Sequence, residues 1–297
     1  IRDRDVTGVQ TCALPISSEY EELIAGSWGI CGACTSMTTA NSMCMMAEAL
    51  GMTLPGNSTM SAVSSQLRCL SYQAGKRIVE LVGEGVTARQ IMTKEAFLNA
   101  IKVDMAVAGS SNLILHIPAI ANEAGYDLPW WKTFDEASNE IPLLSNLAPG
   151  GSYSLKDLDL AGGLQALLHE LMPRLDGNCK TVNGSILKEN AAKSGRYNDD
   201  VIRSLDNPVS LEPGIGVLTG NLAPEGSILK IAAVPPELWH FSGKARVFNS
   251  LQEGLTMLRA GKISPGDAIV LRYMGLKGRF GTTAFPFQEE LKGYPEL

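Results

Sequence analysis

A change of residue pattern past the middle of the chain constrains the fold most strongly. Up to about residue 178 the sequence carries helical patterns, and the clearest spans 61–83, where apolar residues recur at spacings of three and four. After that point short β-type runs follow, separated by Gly, Pro and Asn. This change predicts an α/β protein of two domains, with a helix-rich α/β domain over 17–180 and a β-rich domain over 181–297.

The same patterns predict the individual helices. Each predicted helix combines apolar periodicity with Gly or Pro signals at its ends, and one contains an internal proline that is expected to kink it. The predicted helices span 39–50, 61–83, 93–107, the apolar segment around Pro118, 154–171 and, within the β-rich half, 251–259.

The composition excludes several classes of partner. Hydrophobic residues make up 45% and charged residues 19% of the 297 residues, which is ordinary for a globular protein. The net charge is −6 and no dense Lys/Arg run occurs, so a nucleic-acid partner is not expected. The longest apolar stretch, 105–121, contains Ser110 and His116 among other polar groups, so a membrane partner is not expected either.

The N-terminal segment 1–16, IRDRDVTGVQTCALPI, fits neither a secretory signal nor the pattern that follows it. It is interpreted as a non-native leader read from a sequencing adapter, and it is left out of the fold prediction together with Cys12. Six cysteines in a chain of this length do not indicate a disulfide scaffold. We therefore expect a cytoplasmic protein, whose thiols serve metal binding or catalysis more often than disulfides.

The segment GICGACTSMTTANSM, residues 29–43, carries Cys31 and Cys34. Four interpretations remain open on spacing alone: a structural zinc site, a thioredoxin-like redox pair, thiols packed in a core, and a ligand of an iron–sulfur cluster. A cysteine in a glycine-flanked loop before a helix suits the last, because a helix N-terminus favours negative charge. The other cysteines, Cys44, Cys69 and Cys179, are predicted to fill cores.

Several longer segments resemble those of one family. They are ACTSMTTANSM, AEALGMTLPGNS, AGKRIVELV, KEAFLNAIKVDMAVAGSSNLILHIPAIANEAG, GIGVLTGNLAPEGSILKIAAV and PGDAIVLRYMGLKGRFG. In order and spacing they are similar to the dihydroxy-acid dehydratase / phosphogluconate dehydratase family, and the resemblance covers about 17–297.

The resemblance implies a hydro-lyase that removes water from a small-molecule 2,3-dihydroxy acid to give a 2-keto acid, in branched-chain amino-acid biosynthesis. It implies an iron–sulfur cluster, 2Fe–2S or 4Fe–4S, as the Lewis acid, with Mg²⁺ nearby. It also implies that the β-rich domain is a swivelling, barrel-like domain and that the full-length parent is a homodimer. A sugar-acid dehydratase of the same family, acting on an aldonate or phosphogluconate, is the alternative.

The resemblance also implies roles for particular residues. Cys34 aligns with a cluster-binding cysteine of the family. Thr39 and Asn41 are expected to line the cluster pocket, or else to cap a helix. Ser110 and Asn112 are expected to contact the substrate, or else to cap the next helix.

The chain departs from the family pattern in two ways. The other cluster cysteines and a Cys-Asp-Lys segment are not found before Gly29, and the presumed base, a serine, would follow Leu297. We therefore expect an internal fragment, truncated at both ends and inactive alone, with no catalytic base of its own. Ala284 falls where the family has a magnesium-binding glutamate, so Glu289 or Glu290 is predicted to replace it, unless both are solvated helix residues.

A function of another class also stays open at this point. Cys31 and Cys34 alone would suffice for a non-enzymatic thiol- or zinc-binding module, which would bind zinc or form a reversible disulfide.

Overall fold

A computed structural model describes residues 32–275 and 285–297, with the side chain of Phe285 left out. The predicted leader 1–16, Cys31 and Ala284 lie outside the described residues. Residues 32–235 form one compact unit, and the described residues from 236 onward belong to a second. The predicted domain boundary between 180 and 181 stays a prediction.

The first unit is mostly helical, as its sequence predicts. Its helices are α1 (Thr39–Ala49), α2 (Ser65–Glu84), α3 (Ala88–Ile91), α4 (Lys94–Val107), α5 (Leu113–Ala124), α6 (Trp130–Glu140), α7 (Leu155–Leu160), α8 (Gly163–Leu171) and α9 (Leu187–Ala191). Among the described residues, none of the helices combines the length and apolar content that a membrane crossing requires.

Helix α4 is the centre of the first unit and packs against α1, α5 and α6. Phe97, Ile101 and Met105 on α4 are all fully buried. Burial of each such side chain contributes about 1.5–3 kcal/mol to folding. Helix α4 is therefore a fixed support for the turn that follows its C-terminal end. Helix α4 ends at Val107, and Ala108 then takes a left-handed conformation with φ 47°.

A two-stranded antiparallel sheet completes the first unit. Strands β1 (Gly216–Leu218) and β2 (Ser227–Leu229) pair with Gly216 opposite Leu229. A two-stranded hairpin is marginally stable alone, and here β1 packs against α6. The β2 strand ends directly before Lys230.

The second unit is a β–α–β arrangement followed by one helix. Its elements are β3 (Lys244–Phe248), α10 (Leu251–Arg259), β4 (Asp267–Leu271) and α11 (Phe285–Leu291), and β3 pairs with β4 in parallel. Phe248, Leu258 and Phe287 form its core. In the part of the chain that the structure describes, these strands and the β1–β2 pair make two two-stranded sheets, so the barrel-like domain stays a prediction.

The predicted helix over 154–171 is wrong at its middle. It is two helices, α7 and α8, because Gly162, which lies between them, and Gly163, the first residue of α8, take positive φ values of 115° and 65°. Only glycine adopts such values readily, so the chain changes direction there.

Candidate functional site

The segment 32–38, here called the cysteine loop, leads into α1 and carries Cys34. Asn41, on the first turn of α1, donates its side-chain amide to the Cys34 carbonyl. From the other side, the backbone N–H of Met37 donates to the carbonyl of Ala148 at 2.7 Å. The loop is thus held at two points, while the Cys34 side chain is only half-buried and remains accessible to a ligand.

Three of the predicted residues form one hydrogen-bonded group, here called the hydroxyl–amide cluster: Thr39, Ser110 and Asn112. The Thr39 and Ser110 hydroxyls lie 2.8 Å apart, and the Asn112 side-chain amide donates to Thr39 Oγ1 at 2.8 Å. The backbone N–H of Asn112 donates to Ser110 Oγ at 3.2 Å. The cluster therefore joins the start of α1 to the turn before α5, across more than 70 residues of sequence.

The close approach of that turn to α1 depends on Gly109. A Cβ atom placed at Gly109 would lie 1.8 Å from Oδ1 of Asp104 and 3.2 Å from Oγ of Ser42. The next residue, Ser110, donates its backbone N–H to the same Ser42 hydroxyl at 2.9 Å. A side chain at position 109 would therefore push the turn away from α1 and separate the members of the hydroxyl–amide cluster.

Two charged residues adjoin this arrangement, Asp104 buried and Lys230 half-buried, and sequence reasoning did not single out either. Asp104, on α4, is only 1% exposed, and its Oδ1 has no hydrogen-bond partner among the described residues. Lys230 donates from Nζ to the Met37 carbonyl at 3.0 Å. Burial raises the pKa of Asp104 well above its ordinary value, while the Lys230 charge opposes that rise. Burial lowers the pKa of Lys230 to about 8, against the charge of Asp104.

The available sequence signal for these two residues was a lone charge inside an apolar run. Asp104 interrupts VDMAVAG and Lys230 interrupts SILKIAAV. A charged residue is almost never fully buried unless it has a partner, so two such interruptions indicate a pair that tertiary structure brings together.

The remaining described cysteines are not alike. Cys179 is 7% exposed, as predicted for a core residue, and burial raises the pKa of its thiol to about 11. The prediction of core packing is wrong for Cys44 and Cys69, which are both exposed. Cys69 lies on α2, where Leu81 is the only buried residue, so that helix offers no core for it to fill.

Glu289 and Glu290, the predicted magnesium ligands, lie on α11 in the second unit. Each carboxylate already pairs with a cation: Glu289 with Lys292 at 2.5 Å, and Glu290 with Arg259 at 2.5 Å. The hydrogen bond to Glu290, and then the charge of Glu290, raise the pKa of Arg259. These ion pairs give both residues a structural role within α11 and its neighbour α10, and magnesium binding by either stays a prediction.

The structure thus brings together five of the predicted residues around the N-terminal end of α1: Cys34, Thr39, Asn41, Ser110 and Asn112. Within the described ranges, no group of three or more His, Cys, Asp or Glu side chains converges in a way that would hold a metal ion. The arrangement offers one accessible thiol beside a set of hydroxyl and amide groups.

Comparison with known protein families gives two matches. Residues 14–190 match the family described as dihydroxy-acid/6-phosphogluconate dehydratase N-terminal, and residues 200–292 match its C-terminal counterpart. The first match includes the cysteine loop and the whole hydroxyl–amide cluster. The second includes Lys230.

Several curated relatives are named dihydroxy-acid dehydratase. The chain is 46% identical over 262 residues to a dihydroxy-acid dehydratase of Caldanaerobacter subterraneus, covering 88% of this chain and 47% of the relative. It is 43% identical over 278 residues to that of Thermodesulfovibrio yellowstonii, covering 94% and 48%. It is 47% identical over 253 residues to that of Clostridium novyi, covering 84% and 45%. The chain spans about half the length of the curated relatives it matches.

Proposed function

This chain belongs to the dihydroxy-acid/6-phosphogluconate dehydratase family, and we propose that its protein is a hydro-lyase that converts a 2,3-dihydroxy acid to a 2-keto acid. Relatives named dihydroxy-acid dehydratase support this reaction over the sugar-acid alternative, and we propose the branched-chain amino-acid precursor as the substrate. The observation that carries the proposal is the meeting of the cysteine loop with the hydroxyl–amide cluster at one end of α1.

The residues present fit one ligand of an iron–sulfur cluster. Cys34 is half-buried in a loop before an 11-residue helix, whose N-terminal N–H groups favour negative charge. Gly32, at φ 112°, lets the loop pass Ala62, since a Cβ there would lie 2.8 Å from the Ala62 side chain. When bound, such a cluster supplies a Lewis acid that stabilises charge on the leaving 3-hydroxyl oxygen. Among the described residues, we assign Cys34 as the ligand of the iron–sulfur cluster.

The hydroxyl–amide cluster would orient the substrate. One of the Thr39 and Ser110 hydroxyls donates to the other, and each also accepts a bond from Asn112. The donating hydroxyl therefore keeps one free lone pair and the accepting hydroxyl keeps a free O–H for a substrate hydroxyl, while their mutual hydrogen bond holds them in a fixed geometry. Asn112 fixes Thr39 through its side-chain amide. Groups held in place before the substrate arrives lose little entropy on binding, which is how orientation lowers a reaction barrier. Asn41 holds the backbone of the cysteine loop and does not itself need to touch the substrate.

The proposal takes its remaining parts from the family resemblance. They are a Mg²⁺ ion, with Glu289 or Glu290 as its candidate ligand, a homodimeric assembly, and a C-terminal domain of the swivelling, barrel-like type.

The test is a substrate panel on the full-length parent protein that the family resemblance implies, purified anaerobically and reconstituted with iron, with 2-keto acid formation as the measurement. We expect turnover of 2,3-dihydroxy-3-methylbutanoate. Asn112→Ala should lower kcat/KM about tenfold or more, because loss of one orienting hydrogen bond in a buried polar site costs on the order of 1–3 kcal/mol. Asn139→Ala, which alters an exposed asparagine on α6, is the matched control and should leave kcat/KM unchanged.

Two outcomes would contradict the proposal. Turnover of an aldonate but not of the branched dihydroxy acid would favour the sugar-acid dehydratase. Stoichiometric zinc with no iron and no turnover would favour the thiol- or zinc-binding module.

A further inference from the structure

We infer that Lys230 is a positioning residue for Cys34: its ammonium group holds the Met37 carbonyl and so fixes the cysteine loop. The inference rests on the proposed function, because it gives the positioned thiol its role as a ligand. It assigns a task to a residue outside the group that the family resemblance had indicated.

The contact between Lys230 and the loop is direct. Nζ of Lys230 lies 3.0 Å from the carbonyl oxygen of Met37. Met37 is 1% exposed and lies three residues after Cys34 and two before Thr39. A charge-assisted hydrogen bond at that point, shielded from water, restrains both the loop and the start of α1. Movement of the Met37 carbonyl would move the thiol ligand and the hydroxyl–amide cluster together.

Asp104, at the end of α4, interacts with Lys230 through charge, while the contact that restrains the cysteine loop is the one from Lys230 to Met37. Burial shifts the pKa of each group, and the charge of each opposes the shift of the other. Asp104 also abuts Gly109, so the same carboxyl group limits the position of the turn that carries Ser110.

The backbone around the pair is fixed by two hydrogen bonds. The N–H of Gly214 donates to the carbonyl of Met105, the neighbour of Asp104, at 3.1 Å. The N–H of Ala232, two residues after Lys230, donates to the carbonyl of Gly214 at 3.2 Å. The β1–β2 hairpin is thereby tied to the end of α4, and Lys230 reaches the cysteine loop from a fixed base.

The experiment measures the rate at which iodoacetamide alkylates each cysteine of the native, cluster-free chain, resolved by peptide mass spectrometry. Lys230→Met should raise the Cys34 rate about five- to tenfold, because loss of one charged hydrogen bond makes loop opening more frequent. Lys230→Gln keeps a hydrogen-bond donor for the Met37 carbonyl and should raise the Cys34 alkylation rate less. Cys179 reports global unfolding and Cys69 is the exposed reference, so neither rate should change. Lys132→Met, at an exposed lysine on α6, is the matched control.

Two results would overturn the inference. One is an unchanged Cys34 rate in Lys230→Met. The other is a rise of the Cys34 and Cys179 rates in the same proportion, which would mean general destabilisation without a positioning role. Because the alkylation assay needs no cluster, its result is independent of iron binding: a full-length parent that binds no iron would contradict the proposed function, while the alkylation ratio would still test the role of Lys230. With iron bound, Lys230→Met should also shift the visible absorption of the cluster.

Discussion

Gly109→Ala should destabilise the first unit and open the hydroxyl–amide cluster. The added Cβ would lie 1.8 Å from Oδ1 of Asp104, so the two atoms must separate by at least 1.2 Å to reach the 3.0 Å below which real contacts essentially never fall. Asp104 is fully buried and cannot yield freely. Overpacking of this kind costs about 1–3 kcal/mol, and losing the Ser110 N–H bond to Ser42 adds about 1 kcal/mol. The expected loss is about 2–4 kcal/mol.

The measurement is urea unfolding followed by far-ultraviolet circular dichroism, with the free energy of unfolding compared between variants. Gly75→Ala is the matched control. Gly75 lies within α2 and a Cβ there would meet nothing within 4 Å, so alanine should stabilise that helix by about 0.5–1 kcal/mol. If Gly109→Ala unfolds within about 0.5 kcal/mol of the unaltered chain, the close approach described for this turn is wrong.

Three further outcomes follow from buried or capping groups. Glu48→Gln should lower the free energy of urea unfolding by about 2–3 kcal/mol, because this 2%-exposed carboxylate accepts two backbone N–H bonds from the following loop. The control Glu136→Gln, at an exposed residue, should lower it by less than about 0.5 kcal/mol. Ser154→Ala should cost about 1 kcal/mol at pH 7 as a lost N-cap. That loss should shrink as the pH falls through the range in which Asp157 titrates, since hydrogen bonds from Ser154 lower the pKa of Asp157. Between about pH 8 and 10.5 the unfolded chain holds a proton on Lys230 that the folded chain has released, so the free energy of unfolding should rise with pH. Lys230→Met should reduce that rise. Equal pH profiles for the two proteins would contradict the burial of Lys230.

Local patterns predicted much of the helical unit. The helices predicted over 39–50 and 93–107 are confirmed as α1 and α4. A capping box formed by Ser154 and Asp157 begins α7, at the start predicted for the helix over 154–171. The prediction failed where one residue's backbone conformation decides the path, as at Gly162. Helix α6 was not predicted, because its N-cap, Pro129, makes no side-chain cap and gives no clear starting signal.

In the candidate site, too, the sequence indicated individual residues but not the contacts that the fold makes between them. Cys34, Thr39 and Ser110 were each indicated by the family resemblance, but the sequence could not show that the two hydroxyls touch, because that contact joins segments 71 residues apart. Lys230 and Asp104 were not predicted from the sequence for a related reason. A charge in an apolar run has no visible partner until the fold supplies one, and here the partner is 126 residues away.

The central claim, that Cys34 is a ligand of an iron–sulfur cluster, is tested most directly in the full-length parent protein, by the iron and sulfide content of Cys34→Ser against Cys69→Ser after anaerobic reconstitution. The account predicts that the unaltered protein and Cys69→Ser retain iron, sulfide and the visible absorption of a cluster, while Cys34→Ser loses all three. Equal iron in both variants would contradict it.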